Sequence, residues 1–309
     1  VLHADRFLST PGRGVDFGAT AADYARHRAG FPDPFFERLV ALGIGLPGQR
    51  LVDLATGTGT LARGFARRGC RVVGVDRAPA ILAEARRLAR ADGVAHAGTH
   101  PSARPSARPS THPSARPSTH AAVHAAPDGA PGAAAFVVAR AEQVPLRAGC
   151  ADVVTAGTSW HWFDRPAAMQ EVARLLVDAG VLVIANLHWL PLPGNVPGRT
   201  EALILEHNPA WQLAGQSGAY PEWARELAAA GFRHVESSLE EVTIGYTQEA
   251  WRGRARACSG VGAMLPPEAV ARFDADLARL LAERYGTSHL EVPHTLFCII
   301  ARRATAGAR

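Results

Sequence analysis

The sequence contains no lysine; all 33 of its Lys-or-Arg positions are arginine. That excludes chemistry that needs an amine, such as a phosphate-loop lysine, a Schiff base or a tyrosine–lysine reductase dyad. Arginine cannot substitute, because its guanidinium stays protonated at neutral pH. Cysteine is sparse: Cys70, Cys150, Cys258 and Cys298 lie far apart, with no Cys-x-x-Cys pair. Zinc-ribbon and thioredoxin-type readings therefore fail, and buried free thiols in a reducing compartment are expected. No run reaches the roughly 18 apolar residues of a membrane span. The first ten residues, VLHADRFLST, hold no apolar signal core. A cytoplasmic location without a membrane partner is expected. No His, Cys, Asp or Glu cluster has metal-ligand spacing, so no metal is expected.

Strong charge of one sign is also missing. The net charge is +5, and residues 97–132 carry +2 of it through Arg104, Arg108 and Arg116 against Asp128. The remaining excess is spread along the chain without interleaved aromatics, so a nucleic-acid partner is not expected.

The 309 residues, 47% of them apolar, suffice for one large domain or two modest ones. Residues 101–120 stand apart as five tetrapeptides, PSAR PSAR PSTH PSAR PSTH. Proline at every fourth position bars both helix and ladder, and few apolar side chains offset the entropy of ordering. A disordered surface loop with polyproline II character is predicted over 97–132.

Outside that segment, strand-like and helix-like runs alternate. Strands are predicted at 50–55, 71–76, 135–139, 152–157, 180–186, 234–246 and 294–302. Helices are predicted at 34–43, 58–68, 78–91, 166–178, 219–230, 247–257 and 266–284. This alternation implies a parallel sheet covered on both faces, with ligands beyond the carboxyl ends of the strands.

The central motif is Val52-Asp53-Leu54-Ala55-Thr56-Gly57-Thr58-Gly59, where the first strand turns into a helix. Glycines there let a ligand approach the backbone, and the helix start offers free N–H groups. Gly57-x-Gly59-x-x-Ala62 also satisfies the dinucleotide fingerprint, with Asp76 at the end of the next strand to grip a ribose diol. Two features oppose a nicotinamide cofactor. Asp53 suits an ammonium group better than a pyrophosphate, and the reductase lysine is absent.

The run D-L-A-T-G-T-G at 53–59, G-V-D at 74–76, A-E-Q-V-P-L at 141–146, A-D-V-V at 151–154 and S-W-H-W-F-D at 159–164 resembles the class I S-adenosylmethionine-dependent methyltransferases. It is most similar to the type-11 branch that acts on small molecules. The segment from Asp16 to Pro32 resembles that branch's N-terminal lid. The C-terminal part is loosely similar to the trans-aconitate-methyltransferase-like group. The resemblance implies an α/β, doubly wound, Rossmann-like fold. Its seven-stranded, mostly parallel sheet would carry an antiparallel edge hairpin and a helical cap inserted before the last strand. Three parts are expected: a lid over 1–33, a cofactor-binding core over 34–190, and a C-terminal sheet edge over 191–309 with an acceptor-binding cap at 247–284.

The implied cofactor is S-adenosyl-L-methionine. Asp53, Ala55, Gly57 and Gly59 would hold its methionine end. Asp76 would bond the ribose, Arg77 would flank the adenine, and Ala141 and Glu142 would lie along the adenine edge. Ala156 and Gly157 would sit beside the sulfonium, while Tyr24 and Arg28 would close from the lid. His161 is the candidate catalytic base. Trp160, Trp162, His188 and Trp189 would line the acceptor site. Arg252 and Arg256, sharing a helix face at i, i+4, would bind an acceptor carboxylate. Three positions depart from the family pattern: Ala55 replaces a glycine, Arg140 an aspartate, and Asp178-Ala179-Gly180 a Pro-Gly-Gly turn.

The expected activity is methyl transfer to a hydroxyl or carboxylate oxygen of a small molecule, by a monomer or homodimer, as in secondary metabolism. An S-adenosylmethionine-binding cyclase or isomerase of the same fold, an NAD(P)-dependent oxidoreductase, and a non-catalytic binding module are the alternatives.

Overall fold

The computed structural model describes residues 21–96, 130–286 and 289–304. The tetrapeptide segment, and the disorder expected for it, lie outside the described residues, as does most of the predicted lid.

One mixed sheet organises the chain, in the order β3-β4-β2-β1-β5-β6-β8-β7. Its seven longer strands are β1 (Arg50–Leu54), β2 (Arg71–Asp76), β4 (Ala133–Val138), β5 (Ala151–Gly157), β6 (Leu176–Trp189), β7 (Arg233–Thr247) and β8 (His289–Arg302). A two-residue β3 (Ala95–His96) borders β4. β3 through β6 pair in parallel, and β8 runs antiparallel between β6 and β7. The expected edge hairpin is thus a pair, β7 and β8, joined through two helices rather than a tight turn.

Strand period sorts the core onto two faces. Val52, Leu54, Val73, Val75, Val154, Leu182 and Ile184 pack on one side with α5 (Arg165–Leu175) and α7 (Pro221–Ala229). Leu51, Val72, Val153, Val181 and Val183 face the other way, against α2 (Asp33–Ala41), α3 (Thr60–Arg67) and α4 (Pro79–Ala91). Successive strand residues point to opposite faces, so a run buried on both sides reads as continuously apolar. The order reverses at β1, where the chain leaves toward β2 and later returns to β5. That switch point opens a crevice beyond the strand ends.

The predicted helix over 166–178 ends earlier, at Leu175. The amides of Gly149 and Cys150 take the carbonyls of Arg174 and Leu175, and the chain passes into β6. A helix absent from the sequence reading, α6 (Val196–His207), joins α8 (Gln248–Arg256) and α9 (Pro267–Tyr285) above the sheet. They enclose a third core of Trp189, Trp211, Tyr246, Trp251, Phe273 and Leu277. Against this cap lies α1 (Ala21–His27).

Candidate functional site

The loop after β1 is shaped by backbone geometry. Ala55, Gly57 and Gly59 all have positive φ, at 47°, 57° and 78°. Glycine adopts this conformation freely, whereas alanine at 55 is held there against a steric cost. Two contacts hold the loop: the Thr56 amide donates to the Val75 carbonyl at 2.8 Å, and the Gly59 amide to Thr56 at 2.8 Å. Asp76, ending β2, clamps the same loop. Its carboxylate accepts from the Gly57 amide at 3.0 Å and from the Ala78 amide at 2.9 Å.

Asp53 is placed differently from the expectation. It is 1% exposed and stays off the wall of the crevice. Its two oxygens accept from the Thr56 and Thr155 hydroxyls, each at 2.6 Å. Burial pushes its carboxyl up to about 6, against the pull of those hydroxyls. Asp53 therefore braces β1, its loop and β5 from behind.

The crevice is a cavity of about 380 Å³, a size suited to a small organic molecule. Of the expected cofactor residues, Tyr24, Arg28, Ala55, Gly57, Asp76, Arg77, Ala141, Glu142 and Gly157 line it. Gly59 and Ala156 lie behind the wall: Gly59 caps α3, and Ala156 is fully buried in β5. A Cβ at Gly57 would come within 3.6 Å of the Tyr24 ring, which sits beneath the Arg28 guanidinium at 4.6 Å. Glu142 accepts from Arg140 at 3.2 Å and from the Asp164 amide at 3.1 Å. Arg140, unusual at its position, thus pairs with the neighbouring acid.

The opposite wall begins where β5 ends. Thr158 has φ of 51°, rare for a β-branched residue, and its amide donates to Ala185 at 2.7 Å. This turn delivers Ser159 and His161 to the cavity. Ser159 Oγ and His161 Nδ1 are buried without a hydrogen-bond partner. Burial, with His188, Arg28 and Arg165 nearby, pushes the His161 pKa down to about 3. His188 Nδ1 donates to the Trp189 carbonyl at 2.8 Å, and burial lowers its pKa to about 4. Both imidazoles are neutral and weakly basic at pH 7, which speaks against His161 as a general base.

Trp162, His188 and Trp189 line the cavity as expected. Trp160 does not; it is 1% exposed and packs edge-on to Phe163 in the sheet core. Trp189 Nε1 donates to the buried Glu201 carboxylate at 2.6 Å. Trp211, Cys258 and Ser259 complete this wall, with the Trp211 Nε1 donating to Ser259 Oγ at 3.2 Å.

Arg252 and Arg256 face away from the cavity. Arg252 pairs with Asp274, and Arg256 bonds both Asp274 at 2.6 Å and Asp23 at 2.8 and 3.0 Å. The arginine that reaches the cavity is Arg254, two residues on from Arg252 and on the other side of α8. Its guanidinium stacks over Trp189 at 4.5 Å. Helical spacing opposes 254 to 252 and 256 but does not say which face turns inward. Thr158 and Ser159 carried no signal in the sequence.

The four cysteines are buried and unpaired. Among the described residues, no group of three or more His, Cys, Asp and Glu side chains is placed to hold a metal. Nor is any described helix long and apolar enough to cross a membrane.

Residues 51–105 and 111–184 match two family models, each described as a methyltransferase domain. The chain is 27% identical over 191 residues to an uncharacterized methyltransferase of Mycobacterium tuberculosis, covering 60% of each protein. It is 27% identical over 152 residues to the malonyl-[acyl-carrier protein] O-methyltransferase of Serratia marcescens, covering 49% of this chain and 43% of that one. The match thus spans no more than about 60% of the length of these curated relatives. A putative type II methyltransferase from Anaeromyxobacter dehalogenans shares the fold. Its TM-score is 0.56 at 19% identity, over 90% of this chain and 99% of that one.

Proposed function

For a chain that belongs to the class I S-adenosylmethionine-dependent methyltransferases, we propose methyl transfer to a carboxylate oxygen of a small molecule seated against the cap. The observation that carries the reading is the composition of the cavity. One end is a positive-φ glycine loop clamped by Asp76, and the other is a wall of Trp189, Trp211, His188 and His161.

The residues present fit the cofactor. Asp76 is fixed by two amides and keeps acceptor capacity on both oxygens for a ribose diol. Ala139, Ala141, Ile81 and Phe163 offer an apolar slot for the base. Gly57 holds a positive φ that a residue with a side chain adopts only under strain, which keeps the backbone there open to the ligand. When bound, S-adenosylmethionine supplies an electrophilic methyl group on a sulfonium. The protein's task is then to align the acceptor and exclude water. Tyr24 on α1 and Arg28 just beyond it line the cavity, while Trp189 and Trp211 wall off the cap side. A carboxylate acceptor needs no proton removed. That suits the neutral, weakly basic His161 and His188 and favours a carboxylate over a hydroxyl.

Calorimetric titration with S-adenosylmethionine, S-adenosylhomocysteine and NAD tests this reading. Both adenosyl ligands are expected to bind at roughly micromolar Kd, weakened at least about tenfold in Asp76→Ala. Uptake of NAD alone would move the chain to the oxidoreductases, and product without an added methyl group would favour a cyclase or isomerase.

A further inference from the structure

We infer that Arg254 is the docking point for a carboxylate on the acceptor, a specificity determinant whose assignment rests on the methyl-transfer reading of the cavity. Arg254 is 6% exposed and lies on the cavity wall. Its Nη1 is buried without a hydrogen-bond partner, and no carboxylate among the described residues pairs with it. The contrast within α8 is direct. Arg252 and Arg256, on the outer face, are both taken up by Asp274, and Arg256 by Asp23 as well. Only the arginine turned inward lacks an acid.

A guanidinium kept from water with unmade hydrogen bonds is costly to a fold unless a ligand completes it. The planar fork matches a carboxylate, and the bond is charge-assisted on both sides. Burial and the nearby Arg28 cation draw the Arg254 pKa down to about 10, which leaves it charged at neutral pH. The acids on the cavity wall, Asp76, Glu142 and Asp164, come from the end of β2 and from the chain between β4 and α5. The groups recorded around Arg254 are Trp189, Arg28, Tyr24, Tyr246 and Cys258, none of them a carboxylate. Burial pushes the Cys258 thiol up to about 11, so it supplies no negative charge there.

Two carboxylates could claim this cation: the acceptor's and the methionine carboxylate of the cofactor. The two cations are neighbours, since Arg254 feels both Arg28 and Tyr24, and the ring under each tells them apart. Arg28 lies over Tyr24, the ring next to Gly57, whereas Arg254 lies over Trp189 at the end of β6. The cation stacked on the cap aromatic is assigned to the acceptor, and its neighbour on Tyr24 to the cofactor.

The test uses the full chain. S-adenosylhomocysteine is titrated calorimetrically into wild type, Arg254→Met and Arg254→Lys. The saturated proteins are then titrated with acetate, hexanoate and phenylacetate and with the three matching primary amides, followed by tryptophan fluorescence. At least one acid is expected to bind about tenfold tighter than its amide in wild type. Arg254→Met should erase that preference and leave S-adenosylhomocysteine affinity within about twofold, and Arg254→Lys should keep part of the preference. The unliganded Met variant should melt no lower than wild type, because it removes a buried unpaired charge.

Acids binding no better than amides in wild type, or none binding, would overturn the inference. So would a roughly tenfold loss of S-adenosylhomocysteine affinity in Arg254→Met with the acid preference intact, which would give Arg254 to the cofactor. If wild type takes up no S-adenosylhomocysteine, the methyl-transfer reading fails by itself. The acid-to-amide ratio is then read on the unliganded chain.

Discussion

Arg256 grips Asp23 with two hydrogen bonds, at 2.8 and 3.0 Å, across 233 positions of sequence. The pair ties α1, which supplies Tyr24 and leads into Arg28 at the cavity, to α8, which supplies Arg254. Asp274 holds the same Arg256 from α9, so lid and cap share one ion-pair network. Asp23→Asn keeps the shape and removes the charge. It is expected to weaken S-adenosylhomocysteine binding about three- to tenfold and to cost about 1–3 kcal/mol of stability, because the network is largely shielded from water. Calorimetry on the variant checks this, and unchanged affinity would show that α1 is positioned by other contacts.

At Gly253, α8 lies directly against His27 of α1. A Cβ there would sit inside the van der Waals envelope of the His27 imidazole. Gly253→Ala should cost about 1–3 kcal/mol in urea melts through overpacking. The double variant Gly253→Ala/His27→Ala should recover most of that loss, since the two residues are in contact and their effects couple. A loss that persists in the double variant would place the clash elsewhere.

Asp53 braces the loop after β1 without reaching the cavity. Asp53→Ala strands the hydroxyls of Thr56 and Thr155 in the core and should cost about 2–4 kcal/mol. Asp53→Asn keeps an acceptor oxygen and should cost about 1 kcal/mol. Equal losses from the two substitutions, measured by denaturant unfolding, would contradict a role resting on hydrogen-bond geometry.

Acid stability follows from three imidazoles. His161, His188 and His294 are pushed by burial from 6.5 to about 3, 4 and 4. Their folded pKa values lie below the unfolded one, so the unfolded chain binds more protons as pH falls below 6.5. Stability is complete above that point and is lost toward pH 4, at about 2 kcal/mol per imidazole by pH 5. Asp53 acts in the opposite sense. Its raised carboxyl, at about 6, takes a proton first in the folded state and offsets about 1 kcal/mol over the same window. Urea melts should show a net loss of roughly 3–5 kcal/mol between pH 7 and 5. A flat profile would mean that the imidazoles are hydrated.

The core elements were legible because their signals are local. β2 falls on its predicted span of 71–76, and α4 starts one residue late, because apolar runs and glycine punctuation mark both. Helix α6 was not legible. It opens Val196-Pro197-Gly198, which reads as a loop until Asn195 is seen capping the Gly198 amide at 2.8 Å. β8 begins at His289, before the predicted 294, since Pro293 breaks the pattern yet still pairs in register with Thr243. Within the site, Asp76 and the glycine loop were readable from the order of motifs. The inward arginine was not, because the choice between the two faces of α8 depends on Asp23 and Asp274, far away in sequence.

The short β3 carries a consequence for engineering the chain. Ala95 and His96 pair in register with Ala133 and Ala134 at the start of β4. The described residues on either side of the tetrapeptide segment therefore lie on adjacent strands, about 5 Å apart. Both ends are anchored near the start of β4, whereas the cavity is approached from the far end, where Val138 pairs with Asp76. The pairing of β3 with β4 is carried by these described residues alone and lies at the opposite end of the strands from the cavity. This corner of the sheet is a place where a tag can be attached while the loop after β1 and the cavity wall stay as they are.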